Sequence, residues 1–270
     1  MVQLKNKICL IGGNGEVVSE AAKYLDKTNN LKNIILLENN ANLDKKFSNI
    51  TYKISIKNFK NIIKKLNQLK INKIIIIGYV NFPKFDQINF DLQTKLFLTK
   101  NFFLNNESKQ TQIFKDLLSY KKINLLSPLK YLEKLIINES DQIIFKKFDH
   151  YKIKSLGCIN NIKKLSSVNI GQSIIINGNR ILALENFKGT DAMINLFINN
   201  KLYNDLIFIK FKKSNQINEI DFPIIGLNTI KNLIRIKIKA IILFKNQTLI
   251  VNKIECMKMI KKHQINLIII

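Results

Sequence analysis

The densest group of reactive side chains in the sequence lies at residues 185–191, which read Glu-Asn-Phe-Lys-Gly-Thr-Asp. The segment follows a strand-like run and precedes an apolar, helix-like run at residues 192–198. A turn of this kind can bind an anion, with the carboxylate of Glu185 or Asp191 directed at a metal ion. The simpler interpretation is that Thr190 or Asp191 only caps the helix that follows.

A second acid, Asp221, stands in the sequence Asp-Phe-Pro within an otherwise apolar stretch. A carboxylate at this position can hold a metal ion or take a proton from an attacking water, or it can cap the turn before Pro223. Three lysines precede it, Lys210, Lys212 and Lys213, and they can balance the charge of a phosphate. A single lysine in such a lysine-rich chain is, however, more often part of the solvated surface.

A glycine-rich turn, Gly-Gly-Asn-Gly at residues 12–15, separates a short apolar run from a helical pattern. Backbone N–H groups can approach a phosphate closely at such a turn. The dinucleotide-binding pattern G-x-G-x-x-G is incomplete because Val18 occupies its third glycine position, although Glu38 lies where a ribose-binding acid would. A tight turn with no ligand explains the same residues.

A second loop, at residues 78–83, closes the third predicted strand. Since neighbouring parallel strands end at the same edge of a sheet, we expect Gly78 and the glycine-rich turn to lie side by side. The alternative is an ordinary loop with Phe82 packed in the core.

Histidine-based triads and histidine-rich zinc sites are excluded, because His150 and His263 are the only histidines. Catalysis therefore has to depend mainly on carboxylates and lysine. Cys9, Cys158 and Cys256 are too widely spaced for a Cys-x-x-Cys motif, and we interpret them as small buried residues of a protein in a reducing cytosol.

The net charge is +25, from 44 Lys and Arg residues against 19 Asp and Glu, but only two of the cations are arginines. Lysine, isoleucine and asparagine are the residues that AT-rich codons encode, and the lysines are spread along the whole chain. We therefore attribute most of the charge to base composition and expect no nucleic-acid partner. Attraction to anionic partners follows in any case.

The elements that must position these residues form two α/β regions. Strand, helix, strand, helix and strand are predicted at residues 7–11, 16–25, 33–37, 58–69 and 73–77, which indicates a parallel sheet. Later, an Asn-Gly turn between apolar runs at residues 173–177 and 180–185 predicts a hairpin. The sequence thus predicts a Rossmann-like parallel-sheet domain at residues 1–130 and a distinct, smaller α/β domain at residues 131–270. We find no signal peptide and no membrane-spanning segment.

Taken in order, these segments make the sequence similar to the UDP-2,3-diacylglucosamine pyrophosphatase family of lipid A biosynthesis, in its Rossmann-like two-domain type of alphaproteobacteria. Its most specific part is Gly-Thr-Asp-Ala-Met at residues 189–193, followed about thirty residues later by Asp-x-Pro-x-x-Gly. The residues that carry the resemblance are 10–15, Gly78, Val80, Pro83, Phe85, 170–172, 182–185, 189–193, 221–226, Thr229 and Ile230.

The resemblance implies a homodimer that hydrolyses the pyrophosphate of UDP-2,3-diacylglucosamine, held between the two domains, to UMP and 2,3-diacylglucosamine 1-phosphate. It implies Mg²⁺-assisted attack of water on the phosphorus next to uridine, with Asp221 as the essential catalytic carboxylate. We expect a cytoplasmic protein in peripheral contact with the inner membrane. Asp221, Asp191 and Glu185 are the predicted metal ligands. The predicted substrate-binding residues are Gly13, Gly15, Gly78, Gln172, Gly189, Thr190, Lys210, Lys213 and Thr229.

The sequence departs from the family pattern at four positions. Tyr79 and Phe82 replace the usual Asn and Arg of the third-strand loop, while Lys188 and Glu219 replace Glu and Arg. The last two are opposite charge reversals, so we hypothesise that they pair with each other. Two other classes stay open at this point: a nicotinamide-dependent oxidoreductase, from the glycine turn and Glu38, and a basic nucleic-acid-binding protein.

Overall fold

A computed structural model describes residues 7–37, 43–80, 83, 85–101, 107–145, 157–158, 160–161, 171–199, 202–212, 219–220 and 222–270. The chain divides into two compact units. The first comprises Met1–Leu132 with Ile217–Ile220, and the second comprises Glu133–Gln216 with Asp221–Ile270.

The first unit contains a five-stranded sheet in the order β3-β2-β1-β4-β5, with every neighbouring pair parallel. This is the strand order of doubly wound α/β folds. Its elements are β1 (Ile8–Gly12), α1 (Glu16–Lys27), β2 (Leu31–Leu36), β3 (Thr51–Lys53), α2 (Phe59–Gln68), β4 (Lys73–Ile77), α3 (Leu92–Asn101), α4 (Glu107–Tyr120), β5 (Asn124–Leu125) and α5 (Pro128–Tyr131). Short 3₁₀ turns lie at Lys45–Ile50, Ile56–Asn58 and Phe85–Gln87.

Apolar residues at helical spacing explain how the helices cover this sheet. The buried residues of α1 are the five that the sequence pattern predicts, Val17, Val18, Ala21, Ala22 and Leu25. Those of α2 are Phe59, Ile62, Ile63 and Leu66. Burying such a face against the strands supplies most of the stabilisation of a helix of this length.

The second unit contains a mixed sheet in the order β12-β10-β8-β6-β7 and a two-stranded parallel sheet of β9 and β11. In the larger sheet β8, β10 and β12 are parallel, while β6 is antiparallel to both of its neighbours. Its elements are β6 (Ser173–Asn177), β7 (Arg180–Leu184), α6 (Thr190–Asn195), β8 (Leu206–Lys210), β9 (Ile224–Ile225), α7 (Leu227–Arg235), β10 (Ala240–Leu243), β11 (Leu249–Ile250), α8 (Lys253–Lys262) and β12 (Asn266–Ile269). Short 3₁₀ turns lie at Glu133–Leu135 and Glu139–Asp141.

The predicted fold class is confirmed: a parallel-sheet α/β unit precedes a second α/β unit, and β6 and β7 form the predicted hairpin. Some element bounds differ. The helix predicted at 192–198 is α6, which begins at Thr190 and ends at Asn195. A helical pattern also runs from about residue 94 to 118 of the sequence. The structure has two helices there, α3 and α4, and residues 102–106 between them lie outside the description. The sequence pattern did not identify α8.

The three cysteines are buried and unpaired with one another, as the sequence analysis interprets them. Burial raises the pKa of the Cys9 thiol to about 12, against smaller lowering effects of the Ile35 backbone and the Lys32 charge. The thiol is thus protonated at neutral pH and packs as a small apolar group. In the part of the chain that is described, none of the helices has the length and hydrophobicity needed to cross a membrane.

Candidate active site

Four polar side chains of the second unit gather at one edge of its large sheet. Lys210 is the last residue of β8, and Ser173, the first residue of the antiparallel neighbour β6, is its register partner. Glu185 follows the end of β7, and Thr190 begins α6. The parallel strands β8, β10 and β12 have their carboxyl ends at this edge, which is where α/β sheets bind ligands.

Short hydrogen bonds join these four residues, which we call the Lys210 cluster. Lys210 Nζ donates to Ser173 Oγ at 2.9 Å and to Thr190 Oγ1 at 2.7 Å. Thr190 Oγ1 donates to Glu185 Oε1 at 2.9 Å. The second carboxylate oxygen, Glu185 Oε2, lies 3.8 Å from Lys210 Nζ and accepts the Gln172 backbone N–H at 2.9 Å. Lys210 is only 4% exposed, so an ion pair and its hydrogen bonds are buried together.

The direction of each hydrogen bond follows from the protons that the groups possess. The Lys210 ammonium can only donate, and the ionised Glu185 carboxylate can only accept. Thr190 gives its single hydroxyl proton to Glu185, so it must accept in its 3.2 Å contact with Ser173 Oγ. Ser173 therefore donates to Thr190. The cluster is a chain of oriented hydrogen bonds, with one charge of each sign to balance the other.

Gly171 makes this arrangement sterically feasible. A Cβ atom on Gly171 would lie 2.3 Å from the Cβ and 2.4 Å from the backbone oxygen of Glu185, closer than real side chains come. Reciprocal backbone bonds hold the two segments together: Gly171 N–H donates to the Glu185 oxygen, and Glu185 N–H donates to the Ser173 oxygen, both at 2.9 Å. Glycine is required here because the backbone carrying Glu185 crosses directly over it.

The predicted helix cap at Thr190 or Asp191 is not what the structure contains. The N-cap residue of α6 is Gly189, which has no side chain. The Thr190 hydroxyl is engaged with Glu185 and Lys210 instead. Because a neighbouring carboxylate and ammonium compete for it, the hydroxyl is drawn into the cluster and away from the helix end.

Asp191 has an unusual environment beside the cluster. Its Oδ1 atom is buried, and no hydrogen-bond partner lies within reach among the residues that the structure describes. A buried carboxylate oxygen without a partner is energetically costly. Toward the described part of the chain, this atom therefore has unused capacity to accept a hydrogen bond or to bind a cation.

The other predicted site residues of this unit lie nearby in sequence or on neighbouring elements. Gln172 contributes its backbone N–H to Glu185. The Gly189 N–H donates to the Asn186 oxygen at 3.0 Å, and Thr229 is buried in the first turn of α7. Asp221 and Lys213 lie outside the described residues. Contact of these residues with substrate stays a prediction.

The glycine-rich turn of the first unit lies beside the loop that follows β4, as predicted. Gly13 N–H donates to the Ile77 oxygen at 2.9 Å, and Asn14 and Tyr79 exchange backbone hydrogen bonds of 2.7 and 3.0 Å. A Cβ atom on Gly13 would lie 2.2 Å from the Tyr79 oxygen. Close backbone packing thus accounts for Gly13, and substrate contact by Gly13, Gly15 and Gly78 stays a prediction. Glu38 and Phe82 lie outside the described residues.

Glu219, one of the two charge-reversed positions, has a partner within its own unit. Its Oε1 atom accepts from Lys115 Nζ at 3.0 Å, and both side chains are partly buried. The reversal at Glu219 is therefore matched by Lys115 and needs no partner at Lys188.

Two residues of this region are not identified as site residues by the sequence. Ser173 was not singled out, because its role depends on strand register, which places it opposite Lys210. Gly171 appeared only as part of a motif, since its contact with Glu185 joins residues fourteen positions apart. The available signal was a small polar residue and a glycine immediately before an apolar strand.

Two family models match the chain in succession. The LpxI N-terminal domain matches residues 7–135, and the LpxI C-terminal domain matches residues 149–268. The chain belongs to the LpxI family. LpxI is a UDP-2,3-diacylglucosamine diphosphatase, which hydrolyses the pyrophosphate of this lipid in lipid A biosynthesis. No sequence among the curated proteins matches the chain significantly.

These matches correct the family assignment made from the sequence. The matching models are those of LpxI and not of LpxH, so the assignment is replaced by LpxI. The hydrolase activity is confirmed, and the nicotinamide-dependent oxidoreductase alternative is set aside.

Proposed function

We propose that this LpxI chain releases UMP and 2,3-diacylglucosamine 1-phosphate, with water attacking the phosphorus next to uridine. The observation that carries the proposal is the Lys210 cluster, beside which the buried Asp191 Oδ1 has no hydrogen-bond partner among the described residues. The cluster lies at the edge of the second sheet where α/β sheets generally bind ligands. A pyrophosphate is a dense anion that repels nucleophiles. Its cleavage needs positive charge and a positioned carboxylate, and both kinds of group occur in this unit.

Asp221 is the proposed catalytic carboxylate. The Asp-x-Pro motif supports this role, as does the anchoring of the residues that follow Asp221. Phe222 is buried, and the Pro223 oxygen accepts the Leu249 N–H at 2.9 Å where β9 and β11 pair. A catalytic carboxylate gains from such a rigid support because misplacement by about 1 Å can cost a factor of 10² in rate. With two oxygens, the carboxylate of Asp221 can bind a metal ion and also take a proton from the attacking water.

Mg²⁺ is the proposed cofactor, and the residues present fit it unequally. Mg²⁺ prefers hard oxygen ligands. The buried, unpartnered Oδ1 of Asp191 fits this preference. Glu185 fits less well, because both of its oxygens already accept hydrogen bonds and an ammonium lies 3.8 Å away.

Within the described ranges, no three His, Cys, Asp or Glu side chains form a group that could hold a metal ion. We therefore propose Asp191 and Asp221 as the ligands from this chain. Bound there, the ion would neutralise charge on the pyrophosphate.

Lys210 and Glu185 are proposed as positioning residues. Lys210 is buried and its ammonium already donates to Ser173 and Thr190. Removing it from these partners to grip a phosphate would leave Glu185 without its counter-charge. The pair instead holds Thr190, the residue immediately before Asp191, so that α6 starts in one orientation. Substrate contact is then proposed for Gln172, Gly189, Thr190, Thr229 and Lys213 at this edge, and for Gly13, Gly15 and Gly78 in the first unit.

We also propose that the protein acts as a homodimer on the cytoplasmic face of the inner membrane. The homodimer is supported by the sequence resemblance alone. Membrane contact is supported by the lipid nature of the substrate and by the net charge of +25, since each lysine near an anionic surface contributes about 1 kcal/mol.

Hydrolysis in H₂¹⁸O tests the proposed point of attack. If water attacks the phosphorus next to uridine, the label appears in UMP and is absent from the lipid phosphate. Label in 2,3-diacylglucosamine 1-phosphate would overturn the proposed point of attack.

Running the same reaction with EDTA, and then with Mg²⁺ restored, tests the cofactor. Equal rates in the two conditions would remove Mg²⁺ from the proposal and leave the point of attack intact.

A further inference from the structure

Phe187 stands almost entirely in solvent, on the turn that connects Glu185 to Thr190. Its side chain is 92% exposed, the highest value among the exposed large apolar side chains of the described residues. Full exposure of an aromatic ring forgoes the stabilisation that burial would give. A ring in this position, two residues from the Lys210 cluster, therefore calls for a partner.

The turn itself is ordered by hydrogen bonds. Gly189 N–H donates to the Asn186 oxygen at 3.0 Å, and Lys188 N–H donates to Asn186 Oδ1 at 2.9 Å. Glu185 anchors one end of the turn and Thr190 the other, through the cluster contacts. The ring is thus held outward by the fold of the turn.

A second exposed apolar side chain stands at the other end of the same short helix. Leu196, the C-cap residue of α6, is 76% exposed. We call Phe187 and Leu196 the α6 surface. Since α6 has six residues, its axis is only about 9 Å long, so these two side chains flank one short helix. Leu202 and Tyr203, which follow α6 in the sequence, are exposed as well. We interpret the α6 surface as an interaction surface.

We propose that the α6 surface docks onto an anionic lipid bilayer, with Phe187 entering the boundary between head groups and acyl chains. An anionic bilayer attracts a chain with a net charge of +25. Phe and Leu side chains of interfacial segments insert to this depth of a membrane, and Lys188 beside Phe187 is exposed to reach the head groups.

The inference rests on the proposed function in one respect, that the lipid substrate is taken up from a membrane. Phe187 lies two residues after Glu185 and three residues before Thr190. Docking through the α6 surface would therefore bring the bilayer close to Glu185, Thr190 and Asp191. The reacting head group would then meet the site without complete removal of the acyl chains from the bilayer.

The chain contains no tryptophan, so Phe187→Trp makes a single fluorescent reporter. We expect its emission to shift to the blue on addition of vesicles containing phosphatidylglycerol and phosphatidylethanolamine. Ile254→Trp is the matched control, because Ile254 is 76% exposed on α8 of the same unit, and its emission should stay constant. No shift for Phe187→Trp, or equal shifts for both variants, would overturn the proposal.

A blue shift of Phe187→Trp on raising the protein concentration without vesicles would mean that a second copy covers the surface, which also overturns the proposal. A tryptophan-free measurement provides a second readout. Co-sedimentation of Phe187→Ser with the same vesicles should weaken about tenfold relative to the unaltered chain, and undiminished binding would contradict the account. Neither readout uses hydrolysis, so failure here is distinguishable from failure of the proposed function.

Discussion

The Nζ atom of Lys210 lies 3.8 Å from Oε2 of Glu185, and Thr190 Oγ1 bridges the two side chains. This bridged pair sits at the carboxyl end of β8, where strand register also brings Ser173. The arrangement links the strands of the sheet to the start of α6. The hydrogen bonds of Thr190 to Glu185 and Lys210 therefore fix the position of Asp191, the next residue.

Removing the ammonium should destabilise the second unit. Lys210→Met leaves the Glu185 charge largely buried without its counter-ion, and we expect the free energy of unfolding to fall by about 3 kcal/mol. Chemical denaturation measures this change. Lys231→Met, which removes an exposed lysine from α7, should change it by less than about 0.5 kcal/mol.

The double variant Lys210→Met/Glu185→Gln tests whether the two charges act as a pair. Its loss should be clearly smaller than the sum of the two single losses, because neither charge is then left alone. Additive losses would show that the pair is not coupled.

A side chain at Gly171 should displace Glu185. Gly171→Ala places a Cβ 2.4 Å from the Glu185 backbone oxygen, so we expect a loss of about 1–3 kcal/mol in unfolding free energy together with reduced hydrolysis. Gly157→Ala is the matched control, since its Cβ would have no atom within 4 Å. If Gly171→Ala matches the control in both measurements, the close approach has no consequence.

The junction of the two loops in the first unit can be probed by amide exchange. Gly13→Ala puts a Cβ 2.2 Å from the Tyr79 oxygen, and the reciprocal bonds of Asn14 and Tyr79 cannot both persist. Exchange of these two amides should accelerate. Unchanged protection of both amides would argue against the packing explanation for Gly13.

Acid should weaken the start of α3 through Asp91. Burial alone would raise the pKa of this carboxyl, but hydrogen bonds from the Thr94 N–H and hydroxyl and from Lys121 lower it to about 2. A depressed folded pKa contributes stability that is present above the unfolded value of about 3.9 and is lost as the pH falls toward 2. The difference in urea midpoint between the unaltered chain and Asp91→Ala should thus be full at pH 6 and small at pH 2. A difference independent of pH would contradict this.

Local patterns predicted much of the fold. The buried face of α1 follows from the spacing of Val17, Val18, Ala21, Ala22 and Leu25, and the Asn-Gly turn predicts the hairpin of β6 and β7. These features depend on residues that are close in sequence. The sequence also predicted that the glycine-rich turn and the loop after β4 lie side by side, because neighbouring parallel strands end at the same edge of a sheet.

The Lys210 cluster could not be predicted in the same way. Its members are brought together by the register of β6 against β8 and by the return of β7, which no local periodicity encodes. The sequence identified Lys210, Glu185 and Thr190 as candidate site residues, but it did not show that they contact one another or that Ser173 joins them. The alternative interpretation, in which Thr190 or Asp191 only caps the helix, was wrong for the same reason, since Thr190 has partners on other elements that compete more strongly.

The most direct test of the account is UMP release from UDP-2,3-diacylglucosamine by Asp221→Asn. With Mg²⁺ present, we predict that kcat falls by about 10²–10⁴-fold while the unfolding midpoint is unchanged. Asp205→Asn, an exposed acid of the same unit, should retain the rate of the unaltered chain. A fully active Asp221→Asn variant would contradict the central claim that hydrolysis of the pyrophosphate by water depends on this carboxylate.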